Sequence, residues 1–231
     1  MPTRPRRSDD RELTLTERAR RSQLMEVTVE LVADRGYAGA SLAAIAERAG
    51  ITKAAVLYHF PSKAAVVRAA HEHVLGALVE EVGAAVAEAG PDQAPAAYVR
   101  SMIGHLREHP RHTRMIIEAM VHGDADHDPA DRWRPLADLL RAAENAIGPR
   151  TDADLRTLAI ITGGAVDAVV AERLADPDYD TAAAADHIVA LVYTPAPPDR
   201  PRPVPSPKLF PDTRTGPERV QLGPGGLLRV S

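Results

Sequence analysis

SLAAIAERAGITKAAVLYHFPSK, residues 41–63, decides the fold of this chain. Ser41 suits an N-cap, because its hydroxyl oxygen can accept a bond from an amide left unpaired in the first helical turn. Leu42, Ile45, Ala46 and Ala49 then recur at helical spacing and make one apolar face. Gly50 follows, where a left-handed backbone is cheap for glycine alone. Thr52 caps a second helix in which Val56 and Phe60 lie one turn apart. Pro61 stops that helix, and Ser62 can cap a third that starts at Lys63. Helix, glycine turn and helix is the layout of a DNA-reading helix-turn-helix, and equally of an ordinary αα-hairpin.

The polar content of the second helix favours DNA. Thr52, Lys53, Tyr58, His59 and Lys63 can all donate hydrogen bonds to phosphate, while Ala54 and Ala55 leave a small surface that could approach base edges or a thymine methyl. Lys53, Ala54, Ala55 and Tyr58 are the candidates for base contact. Ser41, Thr52, His59 and Lys63 are the candidates for phosphate.

Residues 20–67 resemble the N-terminal DNA-binding domain of the tetracycline-repressor (TetR) family of bacterial transcriptional regulators. The resemblance rests on Ala33-Asp34-Arg35-Gly36-Tyr37, Ser41-Leu42, Ile45-Ala46-Glu47-Arg48-Ala49-Gly50-Ile51 and His59-Phe60-Pro61-Ser62-Lys63. It implies that the helix over 52–58 enters the major groove and that Lys63 contacts phosphate where the next helix begins. It also implies a departure. The family usually has a backbone-clamping tyrosine at the position of Leu57, whereas here the tyrosine, Tyr58, comes one place later.

Charge divides along the chain in the same sense. The whole protein carries a net charge of −4, but residues 1–70 hold 12 Lys/Arg against 8 Asp/Glu, residues 71–195 hold 10 against 21, and residues 196–231 hold 6 against 3. A positive head on an acidic body suits a protein that presents one end to phosphates. Apolar residues make up 45% of the 231 and aromatics only 3%, so the core must be built from Ala, Val, Leu and Ile, which favours an all-α fold. The absence of cysteine excludes disulfides, thiolate nucleophiles and cysteine metal sites. Without an apolar signal core or a run long enough to span a bilayer, the expected location is the cytoplasm.

Outward from the decisive stretch, residues 1–13 read as a disordered basic arm. Thr14 and Glu17 fit a capping box that opens a helix through about Asp34, with Leu24, Val27, Thr28, Leu31 and Val32 facing the helix-turn-helix. The DNA-binding domain is placed at 14–65 and a helical effector-binding and dimerisation domain at 66–194. The spacing predicts body helices over 63–89, 95–108, 110–121, 131–147, 152–174 and 181–192, giving nine helices in all. Half of the 20 prolines fall in 195–231, which reads as a Pro-rich disordered tail.

The helix over 152–174 is apolar nearly all round, so it needs partners on more than one side. One of those sides is assigned to a second subunit, with Leu158, Thr162, Val166 and Val169, and from the last helix Ile188 and Leu191, as interface candidates. The resemblance agrees, since it implies dimerisation through a four-helix bundle of the last two long helices. Met102, His105, Met115 and Trp133 are candidates for an effector pocket.

Other chemistries find little support. Asp124, Asp126 and Asp128 begin an EF-hand-like spacing, but Pro129 and Pro135 stand where glycine and glutamate are required. His105 and His109 are four apart, with His112, His122 and His127 following, yet no HExxH pattern accompanies them, and no metal or cofactor is assigned. No GxSxG, P-loop or GxGxxG motif is present. The leading reading is a ligand-responsive repressor that binds a palindromic operator as a homodimer and releases it on binding a small molecule. The alternative is a helical enzyme or a metal-dependent binding module.

Overall fold

The computed structural model describes residues 14–122 and 128–195, and every described element is helical. The basic arm, the Asp124 and Asp126 part of the acidic loop, and all but the first residue of the Pro-rich segment lie outside the described residues. The order is α1 (Leu15–Gly39), α2 (Leu42–Arg48), α3 (Lys53–His59), α4 (Lys63–Ala89), α5 (Ala94–Glu108), α6 (Pro110–His122), a 3-10 turn (Pro129–Arg132), α7 (Arg134–Ala142), α8 (Glu144–Ile147), α9 (Asp152–Ala175) and α10 (Thr181–Tyr193).

Short-range capping sets most of these boundaries. Thr14 and Glu17 form the expected capping box, and Thr151 and Asp154 form a second one at α9. Ser41, Thr52 and Ser62 each accept the backbone N–H three residues on, starting α2, α3 and α4. The single helix expected over 131–147 is instead three pieces, which raises the α-helices from nine to ten among the described residues. Pro135 explains the first break. It has no N–H for the carbonyl of residue 131, so it is tolerated only in the first turn of α7. The second break is at Ala143, which is fully buried and gives its N–H to both Leu139 and Leu140. Nothing in the sequence announces it.

Three apolar clusters hold the helices together. The first gathers Leu24, Leu31 and Val32 of α1, Ile45 of α2, Val56 and Phe60 around α3, and Val66, Ala70 and Val74 of α4, and it also takes in Met115 of α6. The second joins Val99 and Ile103 of α5 to Val166 and Val170 of α9 and to Ile188 and Val189 of α10. The third packs Leu136 and Leu140 of α7 and Ile147 of α8 against Leu155 and Ala159 of α9 and Val192 of α10. The boundary drawn at 65/66 therefore falls inside the first cluster, since α4 and α6 complete the core of the head.

The end of α1 carries the main tie between head and body. Gly36 breaks the helix at φ 68 and ψ 173, a conformation that essentially only glycine adopts. The break frees the N–H of Tyr37, which donates to Glu118 Oε2 of α6 at 2.7 Å. Arg114 of α6 reaches the carbonyl of Ala33 at 3.3 Å, and Arg111 pairs with Glu30 at 3.7 Å. Replacing Gly36 with Ala should cost about 1–3 kcal/mol, read as a lower urea midpoint at an unchanged slope. A midpoint within error of the wild type would show that the break carries no strain.

Candidate nucleic-acid interface

The turn between α2 and α3 closes on backbone bonds. Gly50 sits at φ 66, its N–H bonds to Glu47 at 3.1 Å, and the N–H of Ile51 bonds to Ala46 at 3.0 Å. Val56 (0% exposed) and Phe60 (2%) then anchor α3 on the core. That fixes what the opposite face must show. Ala54 and Tyr58, one turn apart, point away from the core, with Lys53 and Leu57 beside them, and all four are exposed. Ala55 is half-buried.

The expected phosphate donors surround this face. Ser41 and Thr52 are exposed and use their oxygens as cap acceptors, which leaves each hydroxyl proton free to donate outward. Lys63 is more constrained than its sequence suggests. Its Nζ donates to the carbonyl of Tyr37 at 2.5 Å, lies 3.4 Å from that of Ala38 and stands 4.1 Å above the Tyr37 ring. An ammonium has three N–H donors, so one remains for a phosphate.

Tyr58 does not stand free in solvent either. Its hydroxyl donates to Glu17 Oε1 at 3.2 Å, and its ring meets His59 edge-on at 5.1 Å. Leu57 offers only an apolar surface, 41% exposed, where the resemblance implies a tyrosine. His59 is half-buried, and burial, helped by the Arg21 charge, holds its imidazole below the ordinary value of 6.5. At neutral pH it is thus a neutral hydrogen-bond donor rather than a cation.

Sequence reasoning missed Arg21. Its guanidinium donates to the carbonyl of His59 and lies 4.1 Å from the Phe60 ring centre, so it ties the C-terminus of α3 to the first turns of α1. The signal was present in Arg18, Arg20 and Arg21, three cations within four residues at the start of α1. Arg48 likewise holds α2 to α1 through Glu30 at 3.0 Å and Asp34 at 3.8 Å.

The pocket candidates are dispersed. Met115 is buried in the head core, Met102 packs on the second cluster and Trp133 on the third, while His105 is buried at 2% exposure. A cavity of about 230 Å³ lies elsewhere, between α5, α6, α9 and the start of α10. Ile103, Leu106, Val170 and Leu174 form its apolar wall, and Arg107, Arg114 and Arg173 stand around it. The subunit-interface candidates also separate. Thr162, Val166 and Ile188 turn inward, at 3%, 5% and 6% exposure, because they fill the protomer's own core. Leu158 and Val169 are half-buried, and Leu191 is 64% exposed. Ile160 and Ile161, at 48% and 60%, are the large apolar residues that α9 presents outward.

No helix among the described residues is long and apolar enough to cross a membrane. Residues 24–70 match the family described as bacterial regulatory proteins, tetR family. The HTH-type transcriptional regulator BetI of Ectopseudomonas mendocina is 37% identical over 84 residues, which is 36% of this chain and 42% of that regulator. The HTH-type transcriptional repressor Rv3405c of Mycobacterium tuberculosis is 26% identical over 155 residues, 67% of this chain and 72% of the repressor. The crystal structure of a TetR-like regulator from Rhodococcus sp. RHA1 superposes with a TM-score of 0.61 at 24% identity, covering 79% of this chain and 97% of that one, a likeness of fold. Residues 24–70 thus match the N-terminal domain of the bacterial tetR family of regulatory proteins, and the all-helical chain that carries them shares the fold of a TetR-like regulator.

Proposed function

We propose that the protein is a ligand-responsive repressor that binds a palindromic operator as a homodimer in the cytoplasm and leaves it when a small-molecule effector binds. The observation that carries this reading is the outward face of α3. A seven-residue helix pinned by Val56 and Phe60 holds Lys53, Ala54 and Tyr58 out together, within a matched DNA-binding domain. Lys53, Ala54, Ala55 and Tyr58 meet base edges in the major groove. Ser41, Thr52, His59 and Lys63 hold phosphates on either side.

The dimer reading keeps Leu191 from the nominated residues and adds the outward isoleucines of α9. Ile160 and Ile161 of α9 and Leu191 of α10 are exposed, and a Cβ added at Gly163 or Gly164 would meet nothing within 4 Å. A second copy packed there covers the apolar residues and approaches closely over the glycines. It also sets two α3 helices to read half-sites about 34–36 Å apart, one helical turn of DNA. The effector reading draws on the arginine-rimmed cavity between α5, α6 and α9. An apolar body bearing a carboxylate or phosphate suits its lining, and at about 230 Å³ it must widen to accept a drug-sized molecule.

A mobility-shift assay at stated salt, on the intergenic DNA beside the gene for this protein, tests the central claim. A selective shift that competitor DNA does not remove is expected, and equal binding to unrelated fragments would overturn the reading. Lys53→Ala should change the preference among operator variants by about 1–3 kcal/mol at the contacted base. Lys63→Ala should weaken all sequences alike and lower the salt slope by about one unit. Its α1 contacts require that folding be checked alongside. The double variant Ile161→Glu, Leu191→Glu should be monomeric by light scattering and lose operator affinity. A dimer of unchanged mass would place the interface elsewhere.

A further inference from the structure

Four histidines and a glutamate meet where α4, α5 and α6 join, and neither the DNA-binding face nor the cavity uses them. His105, in the last turn of α5, is buried at 2% exposure, and its Nδ1 lies 2.5 Å from Glu81 Oε2 of α4. An ionised carboxylate can only accept, so Nδ1 carries a proton, and in the neutral ring Nε2 then holds the lone pair. That nitrogen lies 3.4 Å from Nδ1 of His112, in the first turn of α6. His109 closes the group. Its ring centre is 4.5 Å from that of His105 and 4.9 Å from that of His112, and its ligand atom lies within 4.8 Å of those of Glu81 and His105. His73 of α4 lies close enough to His112 to act on it electrostatically.

The scaffold under these rings is fixed. His109 bonds through its N–H to the carbonyl of His105, and Pro110 forces α6 to start at once. Thr113, buried at 2% exposure, donates its hydroxyl to Leu106 at 2.7 Å and so folds the first turn of α6 back on α5. Three imidazoles held this close repel if protonated; when neutral, His112 can donate its Nδ1–H to His105 Nε2, and an ion that displaced that proton would meet the lone pairs of both. A tetrahedral ion with bonds of about 2.0–2.1 Å separates its ligands by roughly 3.3–3.4 Å, and His105 Nε2 and His112 Nδ1 already stand 3.4 Å apart. The Glu81–His105 pair has the form of the outer-shell carboxylate that orients a metal-bound histidine.

We propose that His105, His109 and His112 form a binding site for a divalent transition-metal ion of the zinc type, with Glu81 orienting His105 through Nδ1. The three ligands come from the α5–α6 corner, and Glu81 ties that corner to α4. A bound ion therefore staples the helix that leaves the DNA-binding head to the two that follow it. Imidazole ligands favour zinc, nickel, cobalt or copper over magnesium and calcium.

The test is equilibrium dialysis of the untagged full chain, stripped with chelator, against zinc chloride, with cobalt as the spectroscopic probe. One zinc per protomer is expected, together with the intense visible bands of tetrahedral cobalt and a rise in Tm on adding zinc. His109→Ala and His112→Ala remove ligands outside the packed core and should each weaken zinc at least tenfold while keeping the helical circular dichroism of the wild type. Glu81→Gln should weaken it about 10–100-fold without changing the stoichiometry. His187→Ala, on the exposed face of α10, should change nothing. Sub-stoichiometric zinc, or binding that both ligand variants leave intact, would overturn the site.

Discussion

The whole arrangement depends on how the broken end of α1 is satisfied. Gly36 breaks the helix, and just beyond it the Tyr37 N–H and the Tyr37 and Ala38 carbonyls bond to side chains far away in sequence, the Tyr37 carbonyl beside its cap bond from Ala40. Glu118 of α6 accepts the N–H, and Lys63, at the first position of α4, supplies protons to the carbonyls. Removing Glu118 would take its acceptor from the part-buried Tyr37 N–H, at a cost of about 1–3 kcal/mol. One short stretch of backbone thereby fixes the start of α4 and the tip of α6 relative to α1. The position of α2 and α3 follows, since they pack on the core that α1 and α4 share.

This constraint also explains why Lys63 cannot be read as a phosphate contact alone. Its ammonium is already held by two carbonyls and a tyrosine ring. A phosphate arriving at its remaining proton would meet a side chain already ordered, so little rotamer entropy is lost on binding. Arg21 does the same for the far end of α3, where its bond to the His59 carbonyl satisfies the last turn. The C-terminal end of α3 is thus held by a cation of α1 before any DNA is present.

What could be read from the sequence was mostly local. Thr14 with Glu17, Ser41, Thr52, Ser62 and Thr151 announced their helices because a cap is a contract between residues three apart. The α3 face was legible for the same reason, as Val56 and Phe60 could only point inward. Pairings across 26 or 81 residues, such as Lys63 and Glu118 with Tyr37, leave no periodic trace. Nor does an all-round apolar helix say which side its own protomer takes. Thr162 and Val166 of α9 went to the core, while Ile160 and Ile161 stayed outside. His105 and His109 point to no metal in the sequence, because nothing in their own helix reveals Glu81 on another.

The helix α4 is where these separate facts meet. Its first half, Val66 to Val74, is built into the head core, and its later turns, with Leu78 and Val82 buried, run along α5. A helix packed at both ends moves as one rigid element, so a displacement of its Leu78–Val82 end must be absorbed at Lys63 and the α1 break. Two regions flank that lever, the histidine cluster through Glu81 and the arginine-rimmed cavity through α5. On the proposed readings, an ion in the first would stiffen the junction, whereas a molecule that widened the second would press on α5, which packs on α4. Opposite effects on one helix need no long chain of intermediates. A coupling of about 1–3 kcal/mol between either region and the head is enough to change DNA affinity about 5–150-fold.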